Sequence, residues 1–363
     1  VEADYAVIGG GVVGLSLAWG LQARGFSVIV LDGDDGSFRA SRGNFGLVWV
    51  QSKGLEQPEY AKWSQLAAGL WREFASELAH NTGRDVGLRQ EGGLDLHFSE
   101  ETLDQTVRDY EKIKRAVGGD YPFEVLGRNA LKRDEPEVGP TVVGAVLHEQ
   151  DGHVNPLKLL KALADDVRRR GGRVLNGQRV ETVRQTSLFE IACSDGRIVE
   201  AGKVILAAGL GAAELGPKMG FKAPISPQRG QILITEKMPD LIRRPSLIAR
   251  QTDEGGIQIG ATNEEVGLDD GVTQAGIAQL AAKAVAAYPK LSKAQMIRSW
   301  GALRVLSPDG LPIYEESPEM PGAFLVTCHS GITLAAVHAR LLPDWFERRD
   351  NAPDLEVFSE ARF

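Results

Sequence analysis

The sequence predicts an α/β fold built around a parallel sheet that the chain leaves and later rejoins. Three observations carry that expectation. At the N-terminus a short apolar run ending in glycines, an amphipathic segment and a second β-branched run follow one another without a gap. Far downstream, AGKVILAAGL over residues 201–210 repeats the buried-strand pattern. Between and after these lie alternating segments, 92–98, 231–235 and 256–259, which read as half-buried strands.

Taken in order, residues 5–8 suit a buried parallel strand. Residues 12–23 have helical spacing, with Val13, Leu17, Ala18 and Leu21 on one face and Gly25 as the stop. Residues 27–31 form the next strand, which Asp32 ends. Gly9, Gly11 and Gly14 spell G-x-G-x-x-G: a tight turn, a close backbone approach for a pyrophosphate, and close helix–strand packing. The helix start offers N–H groups and a positive dipole end to phosphates. Asp32 lies about 20 residues on, where a carboxylate accepts from a ribose hydroxyl. Strand, glycines, helix and acid together make a Rossmann-like dinucleotide unit that prefers an unphosphorylated ribose. They do not separate NAD from FAD.

Residues 41–54, SRGNFGLVWVQSKG, read as a loop leading into a strand. GHVNP at 152–156 precedes an amphipathic stretch over 157–170. GGRVLNGQRVETVRQ then supplies two short strands before the run at 201–210. The nucleotide-binding sheet is thus revisited late and the domain is discontinuous, which a compact NAD-binding half does not need. Residues 102–117 and 273–288 read as helices.

Composition narrows the function. The chain has 363 residues, enough for two domains. Its formal net charge of −8, with both signs mixed along the chain, disfavours nucleic acid and anionic membranes as main partners. Cys193 and Cys328 are the only cysteines, so a reducing, cytoplasmic setting is the default. No stretch is apolar enough to span a bilayer, and no signal peptide is expected before the first strand unless a leader has been removed. The histidines lack metal-ligand spacing, so no metal is expected.

Several later motifs complete the pattern: SRGNFG, GHVNP, VILAAG, PQRGQI (227–232), GALRVLSPDGLPI (301–313) and HSGITLA near the C-terminus. In this order the chain resembles, almost from end to end, the FAD-dependent D-amino-acid oxidase/glycine oxidase/sarcosine oxidase family. CHSGITLA, in place of the Gly-His-Gly start of stand-alone oxidases, is most similar to the β subunits of hetero-oligomeric dehydrogenases. These include opine oxidases, D-hydroxyproline dehydrogenase and the flavoprotein subunit of hydrogen cyanide synthase.

The resemblance implies an FAD-binding domain from 1–83, 148–217 and 296–363, and an antiparallel α+β substrate domain from 84–147 and 218–295. It implies non-covalent FAD, with FMN a further candidate at a partner interface. Gly9, Gly11, Gly14 and Asp32 would carry the ADP half. Ser41, Arg42 and Asn44 match the loop along the pyrophosphate and flavin. Val180 would offer its backbone to the adenine, and Gly209 closes the VILAAG strand. Gly331, Ile332 and Thr333 open a helix toward the pyrimidine end of the flavin. Arg304 matches the arginine that pairs with a substrate carboxylate; a structural salt bridge is the other reading. His329 matches the histidine at the flavin, read here as structural and electrostatic, not as a base.

Trp49, Gln51 and Lys53 alternate after the flavin loop, facing either the substrate cavity or solvent. Lys53 could there meet a second carboxylate. His97 and Arg250 do not rise above surface residues, Cys328 reads as a partly buried inert thiol, and His338 as core or interface. The implied reaction oxidises the C–N bond of an amino acid or secondary amino acid by hydride transfer to flavin N5, and water hydrolyses the imine. An opine-like substrate is favoured, in a subunit that passes electrons to a partner. The alternatives are a stand-alone glycine, D-amino-acid or sarcosine-type oxidase using oxygen, or a D-hydroxyproline or cyanide-forming glycine dehydrogenase subunit.

Overall fold

The computed structural model describes residues 2–33 and 39–363. Its largest sheet has the order Ile313–Glu316, Ala323–Thr327, Ile198–Leu206, Ala3–Ile8, Val28–Asp32, Arg173–Asn176. Every neighbouring pair is parallel except the first. Phe189–Cys193 and Val180–Gln185 extend it as an antiparallel branch from Ile198–Leu206. The chain therefore enters this sheet at its start, middle and end, as the recurring apolar runs predict.

Alternation along the first strand assigns its two faces. Tyr5 and Val7 pack with Val12–Gln22, Pro58–Thr82, Pro156–Arg169 and Gly331–Arg340. Ala6 and Ile8 pack on the other side with Phe189, Ile191, Leu215 and Met219. Each fully buried aliphatic side chain contributes about 1.5–3 kcal/mol, which makes these two layers the frame of the site. GHVNP gains a local meaning: Asn155 caps the helix Pro156–Arg169, its Oδ1 accepting from Leu157 N and Lys158 N at 3.2 Å each. Pro156 takes the first helical position, where no N–H is needed.

A second, fully antiparallel sheet has the order Ala249–Gln251, Gly256–Gly260, Ser226–Lys237, Met296–Leu306. Gly93–His97, Gly144–His148 and Glu124–Gly127 form a third. Met296–Leu306 pairs along nearly its whole length with Ser226–Lys237. The expected boundary at 296 thus falls between two hydrogen-bonded partners, and this strand carries the second sheet up to the nucleotide-binding segments. Among the described residues no helix is long and apolar enough to cross a membrane.

Candidate functional site

A cavity of about 1030 Å³ runs past the carboxyl ends of the parallel strands, where ligands of open α/β sheets bind. At one end the wall is almost bare backbone. Gly9 has φ 113°, and a Cβ there would stand 2.3 Å from Ala207 O. A Cβ on Gly14 would come within 1.9 Å of Gly9 O. Only glycine allows the strand to turn and the helix to lie this close. Gly11 is the N-cap of Val12–Gln22 and has no side chain to cap it. Ser41 Oγ accepts from Val12 N at 3.0 Å, and Asp32 Oδ2 accepts from Gly10 N at 2.5 Å. Arg42, Asn44, Val180 and Gly209 line the same cavity. Asn44 Oδ1 accepts from Gly46 N at 2.7 Å, which folds the loop back on itself.

The other end meets a second helix start. Gly331–Arg340 has Ser330 at its N-cap, but the Ser330 hydroxyl is engaged by Tyr60 Oη at 2.9 Å and caps nothing. Gly331 and Ile332 line the cavity. Thr333 does not: its Oγ1 accepts from Trp49 N at 3.1 Å and from Lys53 Nζ at 3.2 Å. Two helix starts, at Val12 and Gly331, open on one glycine-lined cavity, close enough that a Cβ on Gly331 would stand 3.2 Å from Val13 Cγ2, and they fit FAD. One suits a diphosphate, the other the flavin ring that gains negative charge on reduction.

Near this second start lie Arg304, Lys53 and Asp151, none of which lines the cavity, and His329, which does. Arg304 is partly buried on the antiparallel sheet, its Nη1 donating to Gln228 Oε1 at 3.0 Å. Burial alone lowers its affinity for a proton, and no carboxylate among the described residues pairs with it. It lies over Gly230, where a Cβ would meet the guanidinium at 2.8 Å. His329 lines the cavity and is exposed there. Desolvation by the protein around it, then repulsion from Arg304 and Lys53, holds the imidazole down at about 4. Burial pushes the Cys328 thiol up to about 12, so it is an inert neighbour. Burial also pulls Lys53 down to about 8, against Asp151. Asp151 is fully buried; burial raises it to about 7 although Val50 N and Gln51 Nε2 donate to it at 2.5 and 2.8 Å.

The expected alternation of Trp49, Gln51 and Lys53 is not that of a strand. The strand is only Leu47–Val48, paired with Gly152–His153, and the chain then turns. Gln51 is fully buried and donates to Gly93 O at 3.0 Å. Trp49 packs where a Cβ on Gly93 would lie 2.5 Å from its ring. Neither lines the cavity. Lys53 instead reaches the helix start. Arg250, expected at the surface, is 3% exposed; its Nε donates to Phe45 O and its Nη1 lies 3.0 Å from His153 Nδ1. It thereby ties the loop 41–46 to the second sheet, because the cross-strand register of Ala249–Gln251 turns it inward. His97 is buried with its Nδ1 3.2 Å from Thr102 Oγ1, and His338 is a core residue 2.9 Å from Tyr314 Oη. Sequence reasoning missed Gln228, Tyr60 and Asp151. Gln228 lies inside the PQRGQI segment but no role attaches to it there, and Tyr60 and Asp151 lie in no motif. Among the described residues no cluster of histidine, cysteine and acidic side chains could hold a metal.

A sequence model of the family described as FAD dependent oxidoreductase matches residues 4–345. The chain is 42% identical over 367 residues to the B subunit of opine oxidase from Rhizobium meliloti, covering 100% of this chain and 98% of that protein. It is 41% identical to the corresponding opine oxidase protein of Agrobacterium tumefaciens, with the same coverage. The crystal structure of glycine oxidase from Geobacillus kaustophilus superposes with a TM-score of 0.91 at 27% identity, covering 99% of each chain.

Proposed function

The chain belongs to the family of FAD-dependent oxidoreductases, and from that premise we propose that it oxidises the C–N bond of an opine-like secondary amino acid as the catalytic subunit of a multi-subunit dehydrogenase. The observation that carries the reading is Arg304. A partly buried guanidinium that donates to the neutral Gln228 amide, with no carboxylate partner among the described residues, is a receptor waiting for its anion. The planar fork would hold a substrate carboxylate at two points and fix the adjacent carbon. The 42% identity to an opine oxidase subunit supports the substrate class and the partner.

Gly9, Gly11, Gly14 and Asp32 would hold the ADP half of FAD. Ser41, Arg42 and Asn44 would lie along its middle, with Val180 and Gly209 flanking. The helix start at Gly331 and Ile332 would face the flavin, with Thr333 turned away from it toward Trp49 and Lys53. When bound, FAD supplies a two-electron acceptor for the hydride leaving the substrate carbon. The protein's own part is to bind and orient. Arg304 sets the carbon, and Gln228 sets Arg304. His329, neutral near pH 7, adds no charge and takes no proton; the substrate nitrogen reacts as the free amine. The C–N bond becomes C=N with loss of a hydride from carbon and a proton from nitrogen. Water then splits the imine into an oxo acid and an amine.

The division into FAD-binding segments 1–83, 148–217 and 296–363 and substrate segments 84–147 and 218–295 belongs to this proposal, with Met296–Leu306 as the shared strand. Two cysteines, Cys193 and Cys328, cannot hold an iron–sulfur cluster, so onward electron transfer calls for centres on a partner. The test is an anaerobic screen of the purified yellow protein. N-carboxyalkyl amino acids should bleach the flavin, and glycine should do so poorly. Fast peroxide formation by the lone chain would favour the stand-alone oxidase instead, a reading that the likeness to a glycine oxidase supports.

A further inference from the structure

Across one face of the antiparallel sheet three side chains form a row. Ser226–Lys237 pairs on one side with Met296–Leu306, which sets Gln228 directly opposite Arg304. On its other side Arg229 bridges to Glu264, with main-chain hydrogen bonds of 2.9 and 3.0 Å in the two directions. That antiparallel register sets Glu265 opposite Gln228, and side chains opposite one another share a face. The contacts agree. Gln228 Nε2 donates to Glu265 Oε1 at 2.7 Å, and Arg304 Nη1 donates to Gln228 Oε1 at 3.0 Å. The guanidinium lies over Gly230, further along the same face, where a Cβ would meet Nη2 at 2.8 Å. That face of Met296–Leu306 also carries Trp300, whose Nε1 donates to Gly43 O at 3.0 Å. The row therefore stands on the side of the sheet turned toward the loop 41–46.

Glu265 is exposed and Arg304 partly buried, on either side of one strand. Their main chains are therefore about 10 Å apart, within the combined reach of the two side chains. A direct pair would neutralise the guanidinium. Here an amide stands between them. Its N–H meets the anion and its carbonyl meets the cation, so hydrogen bonds are satisfied while the positive charge stays uncompensated. Resting on the reading of Arg304 as a carboxylate receptor, we propose that Gln228 is a positioning residue that keeps Glu265 off Arg304 and so reserves the guanidinium for the carboxylate of the substrate. Glutamine suits this place because it carries one acceptor and one donor group and no charge. A carboxylate at 228 would occupy the arginine itself. A short side chain there would let Glu265 occupy it.

The test is binding of two unreactive probes, (ethylthio)acetate and its neutral amide, to the oxidised holoprotein, measured by calorimetry. The wild type should prefer the carboxylate by about tenfold or more, and Arg304→Ala should erase that preference. Gln228→Glu should erase it too, with the amide bound as before. Gln228→Ala should lose most of it, and adding Glu265→Ala should return it to within about threefold of wild type. A glutamine that only held the sheet together would weaken both probes alike, and a second truncation would not rescue it. The proposal is overturned by that result, by either Gln228 variant keeping the wild-type preference, or by a double variant that stays as weak as Gln228→Ala. If Gln228→Ala does not hold flavin, Gln228→Ser with and without Glu265→Ala decides. A preference that survives Arg304→Ala removes the receptor reading and this proposal with it. One that is lost in Arg304→Ala yet kept in Gln228→Glu removes this proposal alone.

Discussion

The two ends of the cavity are built on opposite principles. The end at Gly9–Asp32 is a contiguous stretch of chain whose working surface is backbone. Its glycines are there because a Cβ would collide with main chain, at 2.3 Å for Gly9 and 1.9 Å for Gly14. The end at His329 is lined by residues 328, 329, 331 and 332 between a strand and a helix, with residue 53 on a turn and 228 and 304 on the antiparallel sheet nearby. Its working surface is charge. On the proposed function, the first end would recognise a shape common to many ligands and the second an anionic group on one. Damage at the first should therefore remove the cofactor and the fold together, and damage at the second should leave a yellow protein that binds the wrong things or nothing.

The largest effect should come from Gly14→Ala. The added methyl meets Gly9 O, which is main chain and cannot swing aside as a flexible side chain would. The helix must move off the strand, at a cost of ~4 kcal/mol or more. Flavin content per chain and the thermal midpoint should fall together. A stable, fully yellow Gly14→Ala protein would show that the backbone end is not as rigid as the comparison requires.

Next is Arg304→Ala. Loss of a fork-to-carboxylate contact should weaken carboxylate ligands about a hundredfold or more, read by spectral titration of the bound flavin. Flavin stoichiometry and the thermal midpoint should stay near wild type, because the arginine is held by one amide and by no ion pair among the described residues. If flavin is lost instead, Arg304 is structural and the division between the two ends breaks down.

Asp32→Ala should act more mildly, raising the dissociation constant for FAD about tenfold. Its carboxylate already accepts from Gly10 N, so the turn also loosens. The substrate preference of the remaining holoprotein should be unchanged, since Asp32 holds the Gly10 turn and Arg304 belongs to the separate antiparallel sheet.

The same contrast explains what can be read from the sequence. Gly9, Gly11, Gly14 and Asp32 are visible because the physics that requires them is local: one turn, one helix start, one strand end. The parallel strands are visible because burial on both faces leaves apolar runs. Trp49 and Gln51 mislead because alternation implies a strand where the chain turns after Val48. Arg250 passes for a surface residue because its burial depends on the register between Ala249–Gln251 and Gly256–Gly260, which no single segment encodes. Gln228 acquires its place beside Arg304 only through the pairing of Ser226–Lys237 with Met296–Leu306. Asp151 and Tyr60 are brought to Lys53 by packing, the first across a long stretch of chain and the second on a helix with no motif.

The smallest effect, and the one that most sharpens the comparison, should come from His329→Asn. An imidazole with an ordinary value would be partly protonated near pH 6.5. Here desolvation, Arg304 and Lys53 hold it at about 4, so above pH 5 it is neutral and stays so. A general base in this position would contribute roughly 10²–10⁴ to the rate, and its removal would abolish the acid limb of the pH profile. If the end works by charge placement alone, the rate of anaerobic flavin reduction should change by no more than about threefold. The inflection between pH 6 and 10 should stay where it is, because it belongs to the substrate amine. An inflection that disappears with His329, or a loss of two orders of magnitude, would make the imidazole a proton carrier. The reacting end would then work by proton transfer and not by placement of charge alone.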